Sequence, residues 1–510
     1  MKILVRGVNW IGDAVMSTPA LRALRLHFPD ARISLVLRPW LMPLFSSHPD
    51  VDELIPYGSE YVGIRGRLKF ARELAARGFD MAVLFQNALD AAIIVWLARI
   101  PKRIGYGTDA RGLLLTESIR GNRKNPDQHH VYYYLELLKK SLDVASDFPE
   151  LVLVPGEADR KRAGELLESF EPTCNYTIGI NPGAAYGSAK RWMPERFAAV
   201  ADRAVEKYNS RVILFGSDQE RPLAEAITKA MKHEALNLAG KTDLPLLSAL
   251  LYTCDALVTN DSGPMHMAAA LHTPVVAVFG STNPVATGPF GRGHRVVQKK
   301  ISCSPCLERT CPNGTLACME AILSEDVSDS LDSVMLGKKA VFFDRDGTLI
   351  RDVNYLNRFE DLYVFPDAQS ALKRLHEAGF VLIGISNQSG IARGIVDENF
   401  VRQCHRRLME LLPLDAFYYC PHHPDDSCTC RKPATALLKK ARLEHAIDLK
   451  NSYVVGDKTS DMLLAAAVAA KAVFVRTGQE QTSAQADHVQ ADNLTQAADW
   501  IIRNHENTGH

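Results

Sequence analysis

Short hydrophobic runs alternate with longer amphipathic stretches along most of the chain. In the first 335 residues the hydrophobic runs are KILVRG (2–7), ARISLVLRP (31–39), FDMAVLF (79–85), KRIGYG (102–107), YTIGINPG (176–183), RVILFGS (211–217), DALVTND (255–261) and TPVVAVFGS (273–281). Between them, stretches such as WIGDAVMSTPALRALRLHF (10–28) place apolar residues three and four positions apart, which predicts helices. This alternation is typical of α/β layers built on parallel sheets.

The same pattern indicates where domains begin and end. GEADRKRAGELLESFEPTCN (156–175) predicts a helix and a linker between two Rossmann-like halves, and SEDVSDSLDSVMLG (324–337) predicts a closing helix. The alternation then restarts with KAVFF (339–343), FVLIGIS (380–386), AFYYC (416–420), SYVVGD (452–457) and AVFVRTG (472–478). We therefore predict domains over 1–170, 171–335 and 338–503, followed by a tail over 504–510.

Composition and charge exclude several classes of protein. The chain has 510 residues with 59 Lys and Arg against 59 Asp and Glu, so no global attraction to nucleic acid is expected. No apolar run reaches the ~18 residues of a membrane span, and the start of the chain does not have the pattern of a signal peptide. Ten cysteines without a secretion signal argue against a disulfide framework. These features predict a cytoplasmic protein.

The strongest chemical signal is Asp344-Arg345-Asp346-Gly347-Thr348 at the end of an apolar strand. Two carboxylates at the carboxyl end of a strand lie where α/β sheets bind ligands. One carboxylate can attack phosphorus as a nucleophile and the other can act as acid and base, with Mg²⁺ offsetting the anionic repulsion. Hydroxyl, amide and cationic partners follow in order in ISN (385–387), RKP (431–433) and GDKTSD (456–461).

This C-terminal region resembles the haloacid dehalogenase superfamily, and within it the heptose bisphosphate 7-phosphatases and histidinol-phosphatases. The resemblance lies in RDVNYL, SNQSGIARG, YYCPHHP, CTCRKP and VVGDKTSD. It implies that Asp344 is the nucleophile and Asp346 the acid and base, and that Asp344, the Asp346 carbonyl and Asp457 bind Mg²⁺. The substrate-binding residues that it implies are Asp352, Val353, Asn354, Tyr355, Ser386, Asn387, Gln388, Ser389, Arg431, Lys432 and Lys458.

A second group of metal ligands lies in CPHHPDDSCTC (420–430). Three cysteines and two histidines within eleven residues suit a closed, tetrahedral, structural zinc site. Spacing alone does not choose between His422 and His423. The family resemblance selects Cys420, His422, Cys428 and Cys430, and zinc there would order the segment that carries Arg431 and Lys432.

Softer motifs mark the first 335 residues. Gly12 and Asp13 open a helix after the first strand, where Asp13 suits either a helix cap or a site for a polarised hydroxyl. NPGAA (181–185) leads to Lys190, and TNDSGPMH (259–266) opens another helix, as expected for phosphate binding. Each of these taken alone is also an ordinary strand-to-helix turn.

Together, these motifs resemble glycosyltransferase family nine, the lipopolysaccharide heptosyltransferases. The stretches VNWIGDAVMSTPALRAL, NPGAAYGSAKRWMPERFAAVAD, NLAGKTDLPLLSALLYTCDALVTNDSGPMHMAAALHTPVVAVFGST and CSPCLERTCPNGTLACMEAI carry the resemblance over about residues 1–325. It implies two Rossmann-like domains of the glycosyltransferase B type, an acceptor side over 1–170 and a donor side over 171–335. It further implies that Asp13 is the general base and that ADP-heptose contacts Lys190, Asp261, Ser262, Gly263 and His266.

Other clusters leave alternatives open. The basic residues are Arg65, Arg67, Lys69, Arg72 and Arg77 in one segment, and Arg120, Arg123 and Lys124 in another, which we favour for binding an anionic acceptor or the membrane face. Cys303, Cys306, Cys311 and Cys318 have spacing that would suit zinc or an iron–sulfur cluster, and reduced structural thiols are the favoured interpretation.

The sequence thus predicts an enzyme with two activities in lipopolysaccharide core synthesis. One part would transfer heptose from ADP-heptose to the inner-core acceptor, and the other would remove the 7-phosphate of heptose bisphosphate through an aspartyl-phosphate. Mg²⁺ and structural Zn²⁺ are the expected cofactors. We expect no nucleic acid partner, while peripheral contact with the cytoplasmic face of the inner membrane stays open. The alternatives are a C-terminal histidinol-phosphatase and an N-terminal sugar-nucleotide-binding module without catalysis.

Overall fold

Three parallel sheets form the framework of the chain. The computed structural model describes residues 1–120, 125–146, 149–170, 174–426, 428–480 and 488–507. It divides the chain into two compact units, residues 1–332 and residues 333–510. Each sheet has six strands, and every neighbouring pair of strands within a sheet is parallel.

The first sheet of the first unit has the strand order β3-β2-β1-β4-β5-β6. Its strands are β1 Lys2–Arg6, β2 Arg32–Leu37, β3 Glu53–Pro56, β4 Met81–Leu84, β5 Lys102–Tyr106 and β6 Glu117–Ile119. The helices of this part are α1 Ile11–Met16, α2 Thr18–His27, α3 Gly63–Arg77, α4 Leu89–Leu97, α5 His130–Leu142 and α6 Glu157–Phe170.

The continuous helix predicted over 10–28 is wrong, because the structure has two helices that meet at Ser17. The hydroxyl groups of Ser17 and Thr18 donate to the carbonyls of Ala14 and Val15 at 2.8 Å each. Pro19 follows without a backbone N–H and can only begin a new helix. The periodicity of the apolar residues continues across this break, and so the pattern alone did not reveal it.

The second sheet of this unit has the strand order β12-β11-β10-β7-β8-β9. Its strands are β7 Tyr176–Asn181, β8 Ser210–Leu214, β9 Leu236–Asn237, β10 Ala256–Asn260, β11 Val275–Val278 and β12 Arg295–Val297. The helices are α7 Pro194–Tyr208, α8 Arg221–Ala230, α9 Leu244–Thr253, α10 Gly263–Ala270, α11 Pro284–Thr287, α12 Ala317–Glu320 and α13 Ser324–Met335. One hydrophobic core includes residues from both sheets of the first unit, among them Val5 and Leu257.

The sheet of the second unit has the strand order β15-β14-β13-β16-β17-β18. Its strands are β13 Ala340–Phe343, β14 Val381–Asn387, β15 Ala416–Cys420, β16 Tyr453–Gly456, β17 Lys471–Val475 and β18 Val489–Ala491. The helices are α14 Ala368–Glu377, α15 Ser389–Ala392, α16 Glu398–Leu411, α17 Ala436–His445, α18 Thr459–Ala467 and α19 Leu494–Asn507. Two hydrophobic clusters pack on this sheet, one with Val341 and Phe343 and one with Ala340 and Phe342, as alternation along a strand requires.

The predicted α/β class with parallel sheets is confirmed. In such sheets the carboxyl ends of the strands lie at one edge, and the central strands bring their following loops together there. Asp13 follows β1, Asp261 follows β10, and Asp344 and Asp457 follow β13 and β16. The domain limits themselves stay predictions, and α19 continues through residues 504–507 of the predicted tail.

Candidate active sites

The first candidate site centres on Asp13, in the first turn of α1. Asp13 is the third residue of the helix, and its side chain does not cap the helix, whose N-cap residue is Trp10. Instead, the hydroxyl of Tyr134 on α5 donates to Asp13 Oδ1 at 3.2 Å. The half-buried Asp13 carboxylate is thus held by a tyrosine from another helix and does not cap α1.

The side chain of His266 on α10 approaches Asp13 from the other half of the first unit. A Cβ on Gly12 would lie 2.8 Å from His266 Cδ2, so a glycine is required where α1 meets α10. Burial lowers the pKa of His266 to about 4, with the nearby charges of Asp261, Asp13 and Lys190 acting on the ring. The imidazole is therefore neutral near pH 7, and its buried Nδ1 has no hydrogen-bond partner within the described part of the chain.

A buried ion pair lies beside the N-terminus of α10. Lys190 Nζ lies 2.5 Å from Asp261 Oδ2, and the hydroxyl of Thr282 donates to the same oxygen at 2.7 Å. Asn181 Nδ2 donates to Ser262 Oγ at 3.1 Å, which ties the ends of β7 and β10 together. The cation, the hydroxyl groups and the start of α10 form a surface suited to a pyrophosphate.

A cavity of about 240 Å³ lies beside α5 and is lined by Tyr106, Arg120, Asn125, Gln128, His129, His130, Tyr133, Glu136 and Lys140. Of the favoured basic cluster, Arg120 lines this cavity, while Arg123 and Lys124 lie outside the described residues. In the other basic segment, Arg65, Lys69, Arg72 and Arg77 are exposed. Its remaining member, Arg67, forms an ion pair with Asp90.

The four cysteines between 303 and 318 do not form a metal cluster among the residues that the structure describes. All four are free thiols, from the buried Cys318 to the exposed Cys303. Backbone N–H groups led by that of Leu316 lower the pKa of Cys311. Reduced structural thiols stay the favoured prediction for this segment.

The second candidate site is a cluster of three buried carboxylates. Asp344 follows β13, Asp457 follows β16, and Asp461 lies in the first turn of α18, with ligand oxygens all within 4.8 Å of one another. Their residues are 4%, 0% and 0% exposed. Sequence reasoning included Asp461 in a motif but not among the metal ligands, although its spacing of four residues from Asp457 was a usable signal.

The donor set of this cluster fits a hard divalent cation. Burial raises the pKa of Asp457 to about 8 and that of Asp461 to about 6, with Asp344 contributing to both. Asp457 Oδ2 is buried and has no hydrogen-bond partner in the described residues. Mg²⁺ prefers oxygen ligands. A cation bound at these strand ends would offset the repulsion among the three carboxylates.

Lys432 forms ion pairs with two of the three carboxylates. Its Nζ lies 2.6 Å from both Asp344 Oδ1 and Asp461 Oδ1. Burial lowers the pKa of Lys432, but the two carboxylates outweigh this effect and raise it above its usual value. Asn387 fixes the backbone of Lys432 by accepting its N–H at 3.0 Å and donating to its carbonyl at 3.3 Å. Nearby, Arg431 has a buried Nη1 without a partner among the described residues.

Asp346 lies outside the carboxylate cluster and is bound by Arg345 and Gln388. Arg345 donates to both carboxylate oxygens, at 2.9 and 3.0 Å, and Gln388 Nε2 donates to Oδ2 at 3.1 Å. Gln388 Nε2 also donates to Ser386 Oγ at 2.6 Å. The side chains of two predicted substrate-binding residues are thus linked to the predicted acid and base.

The segment 352–355 lies at the same edge of the site. Asp352 accepts a hydrogen bond from Lys458 Nζ at 3.2 Å, and Asn354 and Tyr355 have φ values of +52° and +65°. The Tyr355 ring packs so closely on Gly390 that a Cβ there would lie 2.8 Å from it. Of the remaining predicted residues, Val353 packs partly buried against the core and Ser389 begins α15.

Cys420, His422, Cys428 and Cys430 come together at the end of β15. Cys428 Sγ lies 3.5 Å from Cys420 Sγ and 3.6 Å from Cys430 Sγ, while His422 Nδ1 lies 3.1 Å from Cys430 Sγ. Tetrahedral thiolates at ~2.3 Å from zinc stand about 3.8 Å apart, so the cluster fits this ion. His423 contacts Asp425 instead, which distinguishes the two histidines that spacing left equivalent.

Comparisons with known proteins assign parts of the chain to families. The family model of glycosyltransferase family 9 (heptosyltransferase) matches residues 67–317, and an HAD-hydrolase-like family matches residues 429–499. Lipopolysaccharide heptosyltransferase 2 of Escherichia coli K12 is 32% identical over 67% of this chain and 100% of its own length. The solved structure of the E. coli ADP-heptose LPS heptosyltransferase II matches with a TM-score of 0.58 and 30% identity, over 65% of this chain and 98% of that one.

The C-terminal region has its own relatives. The D-glycero-beta-D-manno-heptose-1,7-bisphosphate 7-phosphatase of Haemophilus ducreyi is 40% identical over 29% of this chain and 88% of its own length. Among the described residues, the structure has no helix of the length and apolarity that crossing a membrane requires. Both predicted resemblances are confirmed: the chain belongs to glycosyltransferase family 9, the heptosyltransferases, through its first part, and to the haloacid dehalogenase-like heptose bisphosphate phosphatases through its second.

Proposed function

We propose that the chain catalyses two reactions of heptose metabolism in lipopolysaccharide core synthesis. The first unit would transfer heptose from ADP-heptose to an inner-core lipopolysaccharide acceptor, and the second would hydrolyse the 7-phosphate of D-glycero-D-manno-heptose 1,7-bisphosphate. A heptosyltransferase is a relative of the first part and a heptose bisphosphate phosphatase is a relative of the second, which supports the proposal of these two reactions. The domain limits 1–170, 171–335 and 338–503 belong to the proposal.

In the transferase, Asp13 acts as the general base. It takes the proton of the acceptor hydroxyl, whose oxygen attacks the anomeric carbon of the donor as the bond to ADP breaks, and the electron pair leaves on the β-phosphate. Lys190 and the N-terminus of α10 stabilise the departing pyrophosphate. The observation that carries this proposal is the approach of α1 to α10, which brings Asp13 and His266 together across Gly12.

The acceptor side is proposed to use the cavity beside α5. Arg120 gives this cavity a cation that suits anionic sugars, while Lys140 in the same lining is paired with Glu136. We propose a cytoplasmic enzyme that meets its lipid-linked acceptor at the inner membrane surface. The test of the transferase activity and of the role of Asp13 measures release of ADP from ADP-heptose. This release should depend on added inner-core acceptor and should be lost in Asp13→Asn.

In the phosphatase, Asp344 attacks the phosphorus of the 7-phosphate and forms an aspartyl-phosphate. The bond to the sugar oxygen breaks, and that oxygen takes a proton from Asp346. Asp346 then takes a proton from water, whose oxygen attacks phosphorus and returns Asp344 to its carboxylate form. Mg²⁺ held by Asp344, Asp457, Asp461 and the Asp346 carbonyl would offset the charge of the phosphoryl group.

Lys432 and Arg431 complete the phosphoryl site, and zinc would order the segment that carries them. The observation that carries the phosphatase proposal is the buried cluster of Asp344, Asp457 and Asp461, two of which form ion pairs with Lys432. The test measures phosphate release from D-glycero-β-D-manno-heptose 1,7-bisphosphate and from histidinol phosphate, for wild type and Asp344→Asn. Heptose-specific release that disappears in the variant supports the proposal, and a preference for histidinol phosphate contradicts the substrate.

A further inference from the structure

The residue between the two aspartates of the phosphatase motif is a buried arginine. Arg345 is only 2% exposed, and its guanidinium faces three different side chains. Its Nε and Nη2 donate to Asp346, Nη2 also donates to Gln388 Oε1 at 3.0 Å, and Nη1 contacts His405 Nε2 at 3.4 Å. A planar cation with partners at every nitrogen has one orientation available to it.

The partners of Arg345 are themselves fixed. His405 is 5% exposed and stacks on Phe417 with ring centroids 4.0 Å apart. Gln388 is 8% exposed and bonds to Ser386 as well as to Asp346. The guanidinium of Arg345 is therefore held by the imidazole of His405 and the amide of Gln388, and its remaining N–H groups bind Asp346.

This geometry determines how Asp346 is oriented. Both of its oxygens accept hydrogen bonds from Arg345, and one of them also accepts from Gln388, so the side chain is held in one orientation. The second half-reaction, in which water attacks the aspartyl-phosphate, requires a base that is positioned in this way.

We propose that Arg345, braced by His405 and Gln388, is a positioning residue that orients Asp346 as the base for hydrolysis of the aspartyl-phosphate. In this step a water oxygen bonds to phosphorus, the bond from phosphorus to Asp344 breaks with its electron pair on the Asp344 oxygen, and the water proton passes to Asp346. The inference rests on the proposed phosphatase function, and it assigns a task to a residue that acts through Asp346.

The test uses p-nitrophenyl phosphate, whose leaving group needs no proton, so formation of the aspartyl-phosphate does not depend on Asp346. In the full-length Arg345→Met variant, kcat falls about 100-fold, the size of a lost general base, while kcat/KM stays within about 3-fold of wild type. Rapid quenching gives a burst of nitrophenolate equal to the enzyme concentration. Arg402→Met, an exposed arginine of α16 bound to Glu398, is the matched control and changes neither constant.

A double variant and a Gln388 variant distinguish positioning of Asp346 from a purely structural role of Arg345. Because Arg345 acts through Asp346, the double variant Arg345→Met/Asp346→Asn is no slower than Asp346→Asn alone. Gln388→Met gives the same separation of kcat from kcat/KM to a smaller degree, and it replaces Arg345→Met if that protein does not fold. Parallel losses of kcat and kcat/KM without a burst, or additive effects in the double variant, overturn the proposal. A wild type that cleaves p-nitrophenyl phosphate but not heptose bisphosphate would refute only the proposed substrate.

Discussion

Gly347 gives the sharpest test of the carboxylate cluster, because a single methyl group there would meet Asp457. Gly347 has a φ of +89°, and a Cβ built on it would lie 2.3 Å from Asp457 Oδ2. Contacts of this kind essentially never fall below 3.0 Å, so Gly347→Ala displaces the carboxylate or the turn by at least about 0.7 Å. A misplacement approaching 1 Å costs up to about 100-fold in rate.

The matched control is Gly379→Ala in the same unit. Gly379 has a φ of +88° but nothing within 4 Å of its Cβ position. Both variants therefore carry the left-handed backbone cost of roughly 1–2 kcal/mol, equivalent to roughly 2–8 °C in the melting temperature. Only Gly347→Ala adds the crowding of Asp457, so we expect a roughly 10- to 100-fold loss of kcat in that variant alone.

The assay is phosphate release at saturating Mg²⁺, with calorimetry of the full-length variants. Wild-type phosphatase activity in both Gly347→Ala and Gly379→Ala would refute the reasoning, since it would mean that the position of Asp457 does not matter for the reaction. Equal loss in both variants would refute it as well, because backbone strain alone would then explain the effect.

Three further predictions concern other parts of the chain. Tyr134→Phe removes the hydrogen bond to Asp13. Because such a bond is worth ~1 kcal/mol, we expect a roughly 3- to 10-fold lower transferase kcat with an unchanged KM for ADP-heptose. An unchanged kcat would contradict the role of Tyr134 in orienting Asp13. Burial lowers the pKa of His48 and His266 from 6.5 to about 4. Between these two pH values the unfolded state binds more protons than the folded state. The first unit therefore loses stability as the pH falls from 6.5 to 4, by up to about 1.4 kcal/mol per pH unit for each ring. Calorimetry at pH 7 and pH 5 measures this loss, which His48→Gln should reduce and which a pH-independent transition would disprove. Purified wild type should contain one zinc per chain by elemental analysis, whereas Cys428→Ser should contain none and melt at a lower temperature; full zinc in the variant would contradict the site.

The sequence predicted the interior of each sheet better than its edges. Strands such as β1, β10 and β13 are continuous apolar runs because both of their faces are buried. Among the edge strands that the structure describes, β15 is predicted by AFYYC, whereas β3, β6, β9, β12 and β18, with two to four residues each, have no comparable run and are not predicted. Pairing with a neighbouring strand, rather than their own composition, makes them strands.

The candidate sites divide in a similar way. Motifs that follow strands, such as those of Asp344 and Asp457, could be found because local spacing carries their signal. The contact of Tyr134 with Asp13 joins residues 121 positions apart, and His405 on α16 contacts Arg345, 60 positions earlier in the turn after β13. No local pattern encodes such contacts, because the packing of the helices on the sheets creates them.

The most direct test of the central claim assays both reactions on one preparation of the full-length chain. Wild type, Asp13→Asn and Asp344→Asn are compared for acceptor-dependent release of ADP from ADP-heptose and for phosphate release from heptose bisphosphate. The account predicts that wild type performs both reactions, that Asp13→Asn loses only the transfer, and that Asp344→Asn loses only the phosphate release. A wild type that lacks either activity, or a single substitution that abolishes both, would contradict it.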